Sequence, residues 1–286
     1  MASRSFRART QQRLHLVPRF APSQKAVSDG IAQAQLEALR LEFAELYREL
    51  FDAAQMQRMM SGPRQVRRGE FAVAAEMFPV RHVSGDFFSI SDSGNSTWLA
   101  IGDIEGKGLR AGMWFAHFLG LTRMFAESTS DPGEALADLN RHVCAAQSQP
   151  PLTSLFLAKL DWLEGTLTYS NAGHPAPVLL RANSAIEDLS NGGPLLSAVP
   201  DAMFESATLE FRRGDILVAF SDGLPECANE NFEEFGIQRV IDEVCRMSYT
   251  RSVTEILFSV MGAAQDFAGT RSRADDCTAM VVRRDD

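Results

Sequence analysis

The residues of this chain best suited to chemistry are aspartates at the ends of apolar runs. Asp86 follows Gly85 in VSGDFF, and Asp103 follows Gly102 in GDIEGKG. Asp222 comes just after the apolar run 216–220 in AFSDG, while Asp275 and Asp276 stand just before the last apolar run in ADDCTAMVV. Taken singly, each is ordinary turn composition. Together they offer carboxylates from four separated strand ends, a donor set that hard divalent ions such as magnesium or manganese take up along with water. Gly85 and Gly102 carry no Cβ where backbone has to come close to an ion or a phosphate.

The elements that must position these groups follow from pattern. Residues 89–91 and 98–101 read as two strands of one hairpin, with Asp92-Ser93-Gly94-Asn95 as its turn, so that Asp86 and Asp103 fall at two corners of it. Strands are expected at 71–78, 152–160, 166–170, 177–181 and 277–283. A further pair is expected at 207–211 and 215–220, folded back around Arg213-Gly214. Residues 109–127 read as a long, largely apolar and hence buried helix. Asp131-Pro132 opens another that runs to about residue 147, with proline at the first helical position. Two more helices are expected at 237–247 and 253–267. Antiparallel hairpins interrupted by helix pairs argue for an α+β layered domain over a doubly wound parallel sheet.

Ahead of this domain the texture differs. Residues 1–25 hold Arg4, Arg7, Arg9, Arg13, Arg19 and Lys25 and no acid, and read as a mobile basic arm. From Ser28-Asp29, a suitable N-cap, Leu36, Leu39, Phe43, Leu46, Leu50 and Ala53 alternate spacings of three and four, as in a coiled-coil seam. Gln57 and Met60 extend the register. Leu41, Tyr47 and Phe51 lie off it, so packing against the chain's own domain competes with dimerisation; dimerisation is favoured. The helix ends near Ser61-Gly62-Pro63, and the basic run 64–68 reads as a short linker. The expected division is a basic arm over 1–27, a linker helix over 28–62 and a catalytic domain over 63–286.

Composition bounds the function. The 286 residues carry a net charge of −9; outside residues 1–25, the remaining 22 basic and 37 acidic residues leave −15. An acidic body argues against nucleic acid as the main partner. No apolar run approaches the ~18–20 residues of a membrane span, and no secretory segment follows the start. Cys144, Cys227, Cys245 and Cys277 are too few and scattered for a disulfide frame or a zinc site, and fit reduced thiols in the cytoplasm.

The motifs VSGDFF, GDIEGKG, TSLFLAKLD, NAGHPAPVLL, DILVAFSDGLPECAN and ADDCTAMVV occur in an order and spacing that resemble the PPM-type metal-dependent protein phosphatases, in their bacterial SpoIIE/RsbU-like branch. The resemblance covers roughly residues 70–284. It implies an α/β/β/α sandwich of two antiparallel sheets flanked by helices, here with an N-terminal helical extension, and two manganese or magnesium ions at one end. It further implies that Asp103 bridges both ions, that the Ile104 carbonyl is an adjacent ligand, that Asp86 acts on the first ion directly or through its waters, and that Asp222 and Asp275 are ligands, with Asp276 nearby. The implied reaction is hydrolysis of phosphoserine or phosphothreonine by a metal-activated water, with no covalent enzyme intermediate. The implied substrate is a small phosphorylated regulator, an anti-sigma-factor antagonist of the STAS fold, and an upstream activator would act on the N-terminal helix. A catalytically weak module that binds the same regulator is the alternative.

Three positions depart from the branch. Ser84 replaces a glycine, His82 replaces an acid, and Glu105 stands two residues after Asp103, where serine or histidine is usual. Glu105 reads either as a group acting on water or the leaving oxygen, or as an exposed loop acid. Lys107 is a candidate for the substrate phosphate, although GDIEGKG lacks the GxxxxGK[ST] spacing of a phosphate loop. His174 in NAGH reads as a hydrogen-bonded turn residue, and Met56, Met59 and Met60 as packing.

Overall fold

The computed structural model describes residues 24–146, 149–250 and 252–285, with backbone alone for 24–31. In chain order the elements are α1 (Gln24–Met60), β1 (Gln65–Arg68), β2 (Phe71–Phe78), β3 (Phe87–Ser93), β4 (Ser96–Ile104), α2 (Leu109–Ser128) and α3 (Pro132–Ala146). Then come β5 (Thr153–Asp161), β6 (Thr166–Ala172), β7 (Val178–Leu180), β8 (Ile186–Asp188), β9 (Gly192–Gly193), β10 (Ala207–Glu210) and β11 (Ile216–Phe220). The chain closes with α4 (Gly236–Met247), α5 (Val253–Ala268) and β12 (Cys277–Arg284).

Two sheets form. The first runs β1-β2-β12-β11-β7-β8 and the second β10-β6-β5-β4-β3, with β9 beside β6. Every pairing is antiparallel except β6 with β9. Helices α2 and α3 lie on the second sheet, and α5, paired with α4, lies on the first. The central strands are apolar on both faces because both faces are covered. In β2, Phe71, Val73, Ala75 and Met77 join the core that also holds the second sheet, whereas Ala72 and Ala74 join the core under α4 and α5. In β11, Leu217 and Ala219 face the first core, and Ile216, Val218 and Phe220 the second. A period of two thus sorts one strand between two layers. This is the expected α/β/β/α sandwich.

Several expectations change. The basic run 64–68 is no linker: residues 65–68 form β1, with Val66 buried and Arg67 and Arg68 paired to Asp285 and Asp92. The segments at 207–211 and 215–220 do not pair with each other. β10 joins β6 in the second sheet, while β11 lies between β12 and β7 in the first. Asp215 organises this crossing: its carboxylate accepts from the backbone N–H groups of Arg212 and Ala182 and from the Arg181 guanidinium. Phe211, packed edge-on against Phe71, anchors the same turn in the core. Helix α2 is buried on one face only, through Ala111, Phe115, Phe118, Leu119, Thr122 and Ala126, and leaves Leu109, Met113 and Met124 exposed. The hairpin strands are longer than expected, and the turn narrows to Gly94-Asn95.

Contacts divide the chain into two compact units, Met1–Arg48 and Glu49–Asp286, so the division falls inside α1. In the first unit α1 starts at Gln24, which places Ser28-Asp29 within the helix and not at its cap. The basic arm of residues 1–23 lies outside the described residues. Leu36, Leu39, Phe43 and Leu46 are exposed, as are Leu41 and Tyr47. In the second unit the end of α1 is integrated: Gln57 and Ser61 are buried.

Candidate active site

The β3–β4 hairpin brings its two aspartates together. Phe87 pairs with Gly102, so Asp86, just before β3, lies beside Asp103, near the end of β4. The two carboxyl groups therefore interact directly, each shifting the protonation of the other. Asp86 is buried, and its Oδ2 accepts from Ser221 Oγ and Thr278 Oγ1, both at 2.7 Å. Ser221 follows β11 and Thr278 lies in β12. Asp86 therefore ties the hairpin of the second sheet to two central strands of the first.

Two glycines permit this approach. A Cβ on Gly102 would lie 2.7 Å from the Phe87 ring and from the Ser154 carbonyl oxygen, and one on Gly85 would lie 2.8 Å from the Ile104 carbonyl oxygen. The Ile104 carbonyl thus faces the loop that carries Asp86.

The carboxylates repel one another. Burial, then the charge of Asp103, holds Asp86 well above the usual carboxylate range. Burial, then Asp222, raises Asp103 to about 6. Asp222 is raised by burial and by Asp275. Among the described residues, Lys107 is the one cation in ion-pair contact with any of these groups or with Asp276. Its Nζ lies 2.7 Å from Asp275 Oδ2 and donates to the Ala274 carbonyl at 2.8 Å. Lys107 therefore engages an aspartate of the cluster.

Asp276 has a different role from its neighbour. Its Oδ1 accepts from the Val80 N–H at 2.7 Å, and its Oδ2 from Ser84 Oγ at 2.7 Å and the Gly85 N–H at 3.0 Å. The departure at Ser84 is thereby explained, since its hydroxyl fastens the 80–85 loop to Asp276. The same loop is held by Gln57, whose Oε1 accepts from the Ser84 N–H at 3.0 Å and whose Nε2 donates to the Ser84 carbonyl at 3.1 Å. Gln57, Ser221 and Thr278 were not singled out by sequence as site residues. The seam register flagged Gln57 as a weak packing position, and Ser221 and Thr278 flank the aspartate motifs, but nothing local names their partners.

An open cleft of about 450 Å³ lies at the cluster, lined by Asp103, Asp222, Glu105, Ser154, Pro175 and Leu195, among others. Glu105 is exposed on its wall, with its Oε2 accepting from the Leu152 N–H at 3.3 Å. His174 is buried, and its Nδ1 is 2.8 Å from Ser154 Oγ. Burial lowers it to about 3, so it stays neutral as a structural turn residue. His82 is exposed on the 80–85 loop.

A divalent cation suits this donor set on two grounds. The donors are hard oxygens, and the buried carboxylates repel one another with a single lysine to offset them. Among the described residues, no three histidine, cysteine or carboxylate side chains stand close enough to hold an ion unaided. An ion held here would have to complete its shell with water and backbone carbonyls.

Two facing antiparallel sheets, helix pairs outside, and a carboxylate cluster where β3, β4, β11 and β12 end define a phosphatase domain of the PP2C type. Residues 93–285 match the family model of Stage II sporulation protein E (SpoIIE). The chain belongs to this family, a branch of the PPM-type protein phosphatases. It is 28% identical over 258 residues to "Phosphoserine phosphatase RsbU" of Bacillus subtilis (strain 168), covering 89% of this chain and 76% of that protein. Among solved structures, the SiaA-PP2C domain of Pseudomonas aeruginosa superposes with a TM-score of 0.74 at 16% identity, over 85% of this chain and 99% of that one. RsbX, solved in complex with magnesium, gives a TM-score of 0.58 at 15% identity over 76% of this chain and 97% of that one. At such identities these two structures bear on the fold alone.

Proposed function

We propose that this phosphatase hydrolyses phosphoserine or phosphothreonine on a small signalling protein, with two Mn2+ or Mg2+ ions held by Asp86, Asp103, the Ile104 carbonyl, Asp222 and Asp275. The observation that carries the reading is that Asp103 and Asp222, from strands of different sheets, line one open cleft, with Asp86 and Asp275 close enough to act on them by charge and three of these four raised by burial and mutual charge. When bound, the ions supply an acidified water as nucleophile and offset phosphoryl charge.

The chain's own residues do the rest. Ser221 and Thr278 fix Asp86, and Gln57 and Asp276 fix the loop before it. Asp276 acts as a positioning residue and is not assigned as a ligand. Glu105, tethered by the Leu152 N–H, stands where it can orient water or the leaving oxygen. The likeness to a phosphoserine phosphatase supports a phosphoprotein substrate, read as an anti-sigma-factor antagonist of the STAS fold.

The proposed organisation keeps three parts: a basic arm, a linker helix and a catalytic domain. The exposed stripe Leu36, Leu39, Phe43 and Leu46 supports a homodimer through the helix and an activator acting there. No helix among the described residues is long and apolar enough to cross a membrane, and a cytoplasmic site of action is proposed.

The test is phosphate release from a phosphoserine protein with added Mn2+, for the wild type and Asp103→Asn. Turnover that needs Mn2+ and is lost in the variant supports the reading. Absence of Mn2+-dependent turnover in the wild type refutes it.

A further inference from the structure

Lys107 sits on a four-residue bridge between β4, which carries Asp103, and α2. Its neighbours Gly106 and Gly108 have φ of 112° and 74°, in the region that favours glycine, so the bridge turns sharply on both sides of the lysine. Its side chain reaches across to the loop before β12, where Nζ meets both Asp275 Oδ2 and the Ala274 carbonyl. Asp86 is satisfied by two hydroxyls, and Asp276 by two backbone N–H groups and a hydroxyl. Among the described residues, Asp275 alone of the five takes an ammonium. A carboxylate oxygen 2.7 Å from an ammonium cannot simultaneously present that lone pair to a divalent ion, and an ammonium so placed repels an arriving cation.

We infer that Lys107 is a built-in counter-cation for Asp275, which a divalent ion entering at Asp275 must displace. The inference rests on the proposed metal reading of the site and adds to it a residue that sets metal affinity. In the metal-free chain the lysine offsets part of the charge of Asp275 and Asp222, whose carboxylates repel each other. On metal entry the ammonium leaves and turns out towards the cleft mouth. The pair is well placed for such exchange, since the two side chains are 38% and 45% exposed and no desolvated bond has to be broken. Occupancy of the Asp275 position is thereby made weaker and more dependent on ion concentration than that of a site built on Asp86 and Asp103.

The test is calorimetric titration of the metal-stripped full chain with Mn2+ alone, for the wild type, Lys107→Met and Arg110→Met. Arg110 is a neighbouring cation with no ion pair among the described residues, and controls for net charge. Lys107→Met should tighten the weaker binding step by about two- to fivefold, the factor that an exposed ion pair contributes. Arg110→Met should leave it within error. Metal-stripped Lys107→Met should also melt below the wild type, with the gap closing at saturating Mn2+. If Lys107→Met binds no more tightly, or Arg110→Met tightens binding equally, the inference falls and the metal reading stands. If the wild type binds no Mn2+ at all, both fall.

Discussion

Substituting Gln57 by leucine tests how the end of α1 supports the site. The glutamine amide makes a two-bond match to the backbone of Ser84, and its Nε2 also approaches the Gly112 carbonyl at 3.5 Å. Leucine has similar volume but no polar atoms, so the buried Ser84 N–H and carbonyl would lose their partner. Each unsatisfied buried group costs about 1–3 kcal/mol, and the added apolar burial returns part of this, so a net loss of about 2–4 kcal/mol is expected. That is a large fraction of the ~5–15 kcal/mol by which domains are stable. Urea unfolding of the full chain reads the loss as a lower midpoint at unchanged slope. Because Ser84-Gly85 leads directly into Asp86, the Mn2+ concentration for half-maximal turnover should rise as well. Gln57→Glu, which keeps the acceptor for the Ser84 N–H but adds charge beside Asp86 and Asp276, should be at least as damaging. Unfolding within about 0.5 kcal/mol of wild type together with an unchanged Mn2+ dependence would refute the reasoning.

Other expectations are simpler. Asp103 has a folded value of about 6, above its ordinary 3.8, so the folded state binds more protons between these values and the metal-free chain loses stability as pH rises through them. Metal-stripped Asp103→Asn should therefore match the wild type near pH 4 and melt higher above pH 6; a constant gap across that range would contradict the assignment. Gly102→Ala would press a methyl onto the Phe87 ring and the Ser154 carbonyl, costing about 1–3 kcal/mol by urea unfolding. Asp276→Asn sets an NH2 against backbone N–H donors at Val80 or Gly85, with a loss of about 1–3 kcal/mol and weaker Mn2+ binding by calorimetry. A chain starting at Glu49 keeps Gln57, whereas one starting at Arg64 does not. The first should fold, be monomeric by light scattering and retain turnover, and the full chain should be dimeric. A monomeric full chain at micromolar concentration would remove the helix-dimer reading.

What the sequence determined by itself was local. Apolar runs of the right length marked β2, β11 and β12, and aspartates next to glycine marked strand ends that carry the carboxylate cluster. These signals are legible because strand burial and close backbone approach are imposed residue by residue. Tertiary structure decided which groups meet. It sent β10 and β11 to different sheets although two strands around Arg213-Gly214 suit a hairpin, because Asp215 and Phe211 take partners from elsewhere in the fold. It also divided an adjacent pair, placing Asp275 against Lys107 and Asp276 against the backbone of the 80–85 loop. Gln57 reached Ser84, and Ser221 and Thr278 reached Asp86, across separations that no periodicity records. A hydrogen bond between distant segments depends on where packing brings them, so its donors leave no pattern in the chain until the fold supplies the acceptor.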